Sequence, residues 1–121
     1  ISNTLYGRKN YVSNIKKIDA EILSKMSFQN VNTKRFPSTK LINKCFNSGI
    51  STPIIINASN EVLVDLFLKG KIRFLDIVKM INEIFKHKEF KKYARKKAKS
   101  VEDIKITDNW ARLKTVNMCV R

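Results

Sequence analysis

The segment that begins at Pro53 would, as a helix, carry apolar side chains around most of its circumference. It reads PIIINASNEVLVDLFLK. Ser51 shortly before it and Pro53 at its first position are features of a helix start, and Gly70 after it is a feature of a helix end, which gives a helix of about 17 residues. At 100° per residue, its polar side chains share the one remaining arc: Asn57, Asn60, Glu61, Asp65 and Lys69. A helix that is apolar nearly all round needs neighbours on most sides, so the segment predicts the central helix of a bundle.

Three further segments have helical spacing of apolar residues. The first, PSTKLINKCFNS, runs from Pro37 to a Gly49 that we expect to be a left-handed cap, and its stripe is Leu41, Ile42, Cys45 and Phe46. The next predicted helix extends from Phe74 to about Lys86, with its stripe at Phe74, Ile77, Val78, Ile81, Ile84 and Phe85.

The last predicted helix starts at Ser100. There Ser100 can accept an amide hydrogen bond and Asp103 can reach back, as in a capping box. The residues expected to face inward are Val101, Ile104 and Ala111, with Trp110 or Leu113.

Four helices with almost no strand signal predict an all-α protein with a four-helix bundle-like domain at residues 36–121. Residues 1–35 are polar and weakly periodic, which predicts an irregular connector with at most one short strand, at Met26–Phe28. With 121 residues, 43% of them hydrophobic, the chain can bury a core without disulfides or metals, and only two distant cysteines occur, Cys45 and Cys119.

The formal charge of +15 leaves two interpretations open. Lysine is spread over nearly every segment together with Asn and Ile, which favours A/T-rich codon usage and a solvated surface. The alternative is an independent basic helical module that binds nucleic acid or acidic lipid, with the densest charge in KHKEFKKYARKKAKS, residues 86–100. That stretch suits a helix end or linker with one apolar edge. The chain has no apolar run of bilayer length and no signal peptide, and its start without Met suggests a fragment of a longer soluble protein.

Few residues in the chain are candidates for chemistry. Asn57, Asn60 and Glu61 interrupt the apolar run, but no histidine, cysteine or second carboxylate stands near them at a spacing that would make a catalytic pair. We therefore assign them to docking through hydrogen bonds with backbone groups, either of the connector, residues 1–35, or of domains outside this chain. The single histidine, His87, lies between lysines and is expected to be exposed. The acids Glu102, Asp103 and Asp108 suit a helix start, with divalent-ion binding as their alternative. The three glycines are scattered and form no phosphate loop.

Several phrases, in order, resemble the C-terminal region of the 1-deoxy-D-xylulose 5-phosphate reductoisomerase family. That family carries F-P-x-L-x-L-A, then L-N-A-A-N-E-x-A-V, then F-L-x-x-x-I-x-F-x-D-I. Here the corresponding phrases are FPSTKLI, INASNEVLV and FLKGKIRFLDI, followed by SVEDI and the pair Ala111 and Arg112. The resemblance runs from near residue 1 to about 115. Thr39 and Lys40 depart from it, because they stand where the family has leucine and its successor.

The resemblance implies an enzyme that rearranges 1-deoxy-D-xylulose 5-phosphate and reduces the product with NADPH, using Mg²⁺ or Mn²⁺. It implies a homodimer whose chains hold an NADPH-binding Rossmann domain and a metal-binding catalytic domain upstream of a connector and helical domain like this one. No catalytic, cofactor or metal residue of the family falls within this chain. We therefore expect an inactive fragment that binds neither NADPH nor metal, supports the catalytic domain, and has no nucleic-acid or membrane partner. A plastid stroma in a eukaryote, or a bacterial cytoplasm, is the location implied.

Overall fold

The computed structural model describes residues 21 and 24–119, and the chain divides into two compact units, Ile1–Val31 and Asn32–Arg121. In the first unit, Lys25 pairs with Glu21 at 2.8 Å, and Met26–Phe28 does not form the strand that its sequence allowed. The part of the second unit that the structure describes contains five helices and no strand: α1 Thr39–Ser48, α2 Thr52–Leu68, α3 Phe74–Lys86, α4 Phe90–Ala94 and α5 Val101–Cys119. The all-α prediction is confirmed.

The bounds of α2 follow its proline and glycine signals, and those of α3 follow its apolar period. Helix α2 has the 17 residues expected, and α3 spans the predicted range. Gly70, at φ +69°, ends α2: its N–H donates to Phe67 O at 2.9 Å, and the Lys71 N–H donates to Leu66 O at 2.8 Å. This pair of bonds is a Schellman motif, which uses the carbonyls that a helix end leaves free.

Two predictions about helices were wrong. The basic stretch after α3 is not only a linker, because its apolar edge folds into the short helix α4. Phe90 and Ala94, four residues apart on one face of α4, are both buried, and this burial offsets the poor intrinsic stability of so short a helix. Gly49 is also not a left-handed cap: its φ of 147° and ψ of 158° are extended on the positive-φ side, a conformation open almost only to glycine.

Helix α2 is central, as predicted, and contacts each of the other four helices of the described region. One buried cluster joins α2 to α3, α4 and α5: Ile55, Ala58, Ile84, Phe90, Ala94, Trp110 and Ala111. The Tyr93 ring stacks on the Trp110 ring at 4.4 Å between centroids. A second cluster joins α2 to α1 and α3: Leu41, Leu63, Ile77 and Ile81. The two clusters lie along α2, which explains why its sequence is apolar on several faces.

The inward face of α5 differs from the prediction. Trp110 and Ala111 are buried, but Val101, Ile104 and Leu113 are exposed, as is Phe74 at the start of α3. The rest of the buried face of α5 consists of Thr107 and Thr115, whose hydroxyls donate to the carbonyls of Asp103 and Ala111 at 3.1 and 2.8 Å. A threonine satisfied by its own helix packs like an apolar side chain, so a search for apolar spacing alone misplaced this face.

The contacts predicted at Ser100 form, but Asp103 reaches back to the backbone of Lys99, one residue before the N-cap, so the arrangement is a variant of the capping box. Asp103 N–H donates to Ser100 Oγ at 3.2 Å, and Asp103 Oδ2 accepts from the backbone N–H of Lys99 at 3.1 Å. Lys96 Nζ lies 2.6 Å from Asp103 Oδ1. The hydrogen bond from Lys96, followed by that from the Lys99 backbone, lowers the pKa of Asp103 from 3.8 to about 2.

This lowered pKa predicts a pH-dependent contribution of Asp103 to stability. A folded-state pKa below the unfolded value means that the carboxylate stabilises the fold fully above about pH 4 and loses this effect as pH falls through about 2. Asp103→Asn should therefore lower Tm near neutral pH, and the gap from wild type should close towards pH 2. Thermal unfolding followed by circular dichroism checks this, with Glu102→Gln in the same helical turn as the charge control. A gap that stays constant with pH would contradict the assignment.

Candidate functional site

The three residues assigned to docking lie on the exposed arc of α2. Asn57, Asn60 and Glu61 are all exposed, and the only hydrogen bond of the two amides within the described residues runs from Asn57 Nδ2 to Glu61 Oε1 at 3.0 Å. Neither amide bonds a backbone group of the described residues. Further along the same arc, Lys69 pairs with Asp65, four residues earlier, at 2.7 Å. The arc therefore presents amide groups with unused hydrogen-bonding capacity, above all at Asn60.

Glu61 is held in place by a residue of another helix. Its carboxylate accepts a hydrogen bond from Arg112 Nη2, and Arg112 Nε lies 2.7 Å from Asp108 Oδ2, so α2 and α5 are linked by one guanidinium. The hydrogen bond from Arg112, then that from Asn57, lowers the pKa of Glu61. Hydrogen bonds to Asp108 and then Glu61 raise the pKa of Arg112. Asp108 therefore forms an ion pair in the middle of α5 and is not a helix-start charge, so its assignment from the sequence was wrong.

An apolar groove runs beside the polar arc, between α1 and α2. Its volume is about 360 Å³, and its lining residues are Leu41, Ile42, Cys45, Phe46, Pro53, Ile56, Asn57 and Asn60. The predicted stripe of α1 lines it, but only Leu41 of that stripe is buried; Ile42 is 59% exposed and Phe46 is 83% exposed. Desolvating such side chains is worth about 25 cal/mol per Å² of apolar area. The groove thus combines an uncovered apolar wall with an amide rim, Asn57 and Asn60.

The candidates for acid–base or metal chemistry are not brought together. The side chain of His87 is only 21% exposed, contrary to expectation, because its ring packs edge-on against Trp110 at 5.8 Å. Cys45 and Cys119 are free thiols whose pKa values burial raises. Within residues 21 and 24–119, no three His, Cys, Asp or Glu side chains form a group that could hold a metal ion, and no helix is long and apolar enough to cross a membrane.

Comparison with known proteins places this helical arrangement in a family. Residues 1–114 match the family described as the DXP reductoisomerase C-terminal domain. The chain belongs to this family. This DXP reductoisomerase C-terminal domain thus covers almost the same residues as the resemblance noted from the sequence phrases, which extended to about residue 115.

Relatives of the DXP reductoisomerase C-terminal domain are longer proteins named 1-deoxy-D-xylulose 5-phosphate reductoisomerase. The chain is 35% identical over 100 residues to 1-deoxy-D-xylulose 5-phosphate reductoisomerase of Geobacter sp. (strain M21), covering 83% of this chain and 25% of the relative. It is 30% identical to that of Pelagibacter ubique over 120 residues, covering 99% of this chain and 31% of the relative. The chain therefore spans about a quarter to a third of the relatives' length.

A solved structure supports the same assignment. The DXP reductoisomerase of Zymomonas mobilis, in complex with NADPH, matches this chain with a TM-score of 0.80 and 32% identity. The match covers 97% of this chain and 30% of the Zymomonas chain. The helical fold of this DXP reductoisomerase C-terminal domain is thus shared with an enzyme more than three times its length.

Proposed function

We propose that this chain is the C-terminal helical part of a 1-deoxy-D-xylulose 5-phosphate reductoisomerase and that its role is to support the catalytic domain. The match of residues 1–114 to the family's C-terminal domain carries the proposal. The complete enzyme would convert 1-deoxy-D-xylulose 5-phosphate into 2-C-methyl-D-erythritol 4-phosphate with NADPH and Mg²⁺ or Mn²⁺, in isoprenoid biosynthesis, as a homodimer. Its location would be a bacterial cytoplasm or, in a eukaryote, a plastid stroma.

The described residues of this chain do not fit the metal. The carboxylates of Glu61 and Asp108 meet at one place, but the guanidinium of Arg112 lies between them and hydrogen-bonds both. A divalent cation at that place would have to displace a charged group already paired on both sides, and Mg²⁺ prefers oxygen ligands that are free to surround it. We therefore assign the metal, and NADPH with it, to the other domains of the complete enzyme.

The docking surface in this proposal is the groove between α1 and α2 with its polar rim. Ile42 and Phe46 are large apolar side chains left uncovered beside a concave wall, which is the usual form of an interface anchor. Asn57 and Asn60 can hydrogen-bond backbone groups of a docked segment, because amides both donate and accept. Glu61, fixed by Arg112, adds a charge with a set orientation. The catalytic domain of the same enzyme is the partner to which we assign this surface.

Turnover by the purified chain is the direct test of the role. With 1-deoxy-D-xylulose 5-phosphate, NADPH and Mg²⁺, the chain alone should oxidise no NADPH above the rate without protein, measured by NADPH absorbance. The positive control is the longer protein that contains this sequence, which should turn over under the same conditions. Turnover by the chain alone would overturn the supporting role, whereas inactivity of the longer protein would overturn the assigned reaction.

A further inference from the structure

A second recess, separate from the docking groove, is lined by cations from two helices. It has a volume of about 330 Å³ and is lined by Lys44, Asn47, Ser48, Phe85, Phe90, Lys91 and Arg95. Lys44 comes from α1, Lys91 from α4, and Arg95 caps α4. None of these lining residues, all from the described part of the chain, carries a carboxylate. A concave site with charges of one sign over an apolar floor concentrates its electrostatic field inside the recess.

No described carboxylate neutralises the positive charges of this recess. Within the described residues, Lys91 and Arg95 form no ion pair, and the Lys44 ammonium hydrogen-bonds the neutral amide of Asn82 and lies 5.5 Å over the Phe85 ring. Like charges four residues apart on a helix, as at positions 91 and 95, repel each other. Other lysines of the same basic stretch do have partners: Lys86 with Glu83, and Lys96 with Asp103. What distinguishes the recess from the other unpaired lysines of this stretch is that its three cations line one concave site.

The walls of the recess are fixed by packing. Phe90 is buried and its ring lies 4.9 Å from that of Phe85, so the floor is part of the core. Gly49 packs against the Ala94 carbonyl, which also accepts a 2.9 Å hydrogen bond from Ser51 N–H, so the end of α1 is held against α4. The end of α1 adds a partial negative charge of about half an elementary charge, which three full positive charges outweigh. The floor of the recess and the backbone that carries its cations are thus held in place by packing.

We propose that this recess binds a phosphate-class oxyanion of the size of pyrophosphate or a small phosphorylated metabolite. A guanidinium binds phosphate oxygens through two parallel hydrogen bonds, and two ammonium groups beside it supply the charge for a polyvalent anion. A monovalent carboxylate would neutralise only one of the three cations. The site is independent of the groove between α1 and α2, so it stands apart from the proposed role of the domain.

Neighbouring lysines of α4 provide a matched test. Lys91 lines the recess, whereas Lys92 does not line it and lies over the Tyr93 ring, so Lys91→Gln and Lys92→Gln remove the same charge one residue apart. The chain is titrated with pyrophosphate at constant ionic strength, and amide NMR shifts are followed at Asn47, Ser48 and Arg95. We expect saturable shifts confined to the recess, affinity weakened about tenfold by Lys91→Gln through loss of a charge-assisted bond, and little change in Lys92→Gln.

Further arms of the experiment identify the source of the phosphate and test whether binding is only diffuse electrostatic attraction. Saturable binding of pyrophosphate identifies a free phosphate compound. Binding that requires Lys91 but occurs only with vesicles of four parts phosphatidylcholine and one part phosphatidic acid identifies a lipid headgroup. Both outcomes support a phosphate site. Equal losses in Lys91→Gln and Lys92→Gln, shifts as large with acetate as with pyrophosphate, or no binding in any arm would overturn it.

Discussion

Replacing Gly49 with alanine should lower the free energy of unfolding by about 3 to 5 kcal/mol, since it combines backbone strain with overpacking. A Cβ at Gly49 would lie 2.4 Å from the Ala94 oxygen and 2.7 Å from its carbonyl carbon. These are backbone atoms, so no flexible side chain can move aside. The φ of 147° adds strain for any L side chain. The substitution would also push apart the 2.9 Å bond from Ser51 N–H to the Ala94 carbonyl.

Gly70 is the matched control for this prediction. It also has a positive φ, 69°, but a Cβ there meets no atom within 4 Å. Gly70→Ala should therefore cost only the left-handed backbone penalty of about 1 to 2 kcal/mol. Urea unfolding of both variants measures the two losses, with the dependence of unfolding free energy on urea compared to wild type. Because both glycines have a positive φ and only Gly49 is closely packed, a larger loss at Gly49 reports the close packing. Equal losses for the two glycines would show that the close approach to Ala94 adds nothing to the cost of the Gly49 substitution.

The parts of this fold that could be predicted from sequence are those with local signals. Helix α3 has a strong apolar period, and α2 is bounded by a proline start and a glycine end, so the ranges of both were predicted closely. The central position of α2 also followed, because a helix that is apolar nearly all round has few other places in a small bundle. The family could be identified from ordered phrases along the chain, which the match of residues 1–114 confirms.

The features that sequence did not reveal depend on contacts between distant segments. Gly49 was assigned a local role as a cap, but its conformation serves a close approach to Ala94 on another helix. The burial of Thr107 and Thr115 depends on hydroxyls bonded within α5, which hydrophobic patterning does not count. Arg112 was noted only as part of the Ala111 and Arg112 pair. The four-residue spacing between Asp108 and Arg112 could have predicted their ion pair. The bond between Arg112 and Glu61 joins two helices, and no local signal in the sequence indicates it.

Replacing Ile55 with alanine should cost about 2 to 5 kcal/mol of folding stability, because it removes a fully buried branched side chain and leaves a cavity. Ile55 is 0% exposed and lies in the cluster that joins α2 to α3, α4 and α5. The loss should appear both in the isolated chain and in the complete enzyme, since these contacts lie within the helical domain. Thermal and urea unfolding measure it, and a loss well under the lower bound would mean that the core repacks around the cavity.

Ile42→Ala makes the same isoleucine-to-alanine change in the docking groove. We expect it to affect stability in the complete enzyme but hardly at all in the isolated chain. Ile42 is 59% exposed, so in the isolated chain its loss should change stability by no more than about 0.5 kcal/mol. In the complete enzyme that we propose, docking would bury Ile42, and Ile42→Ala should lower Tm and increase protease cleavage between the domains. Asn60→Ala, at the rim of the groove, should follow the same pattern, because its amide lacks a hydrogen bond within the described residues. Equal behaviour of Ile42→Ala in the two contexts would mean that the catalytic domain docks on another face.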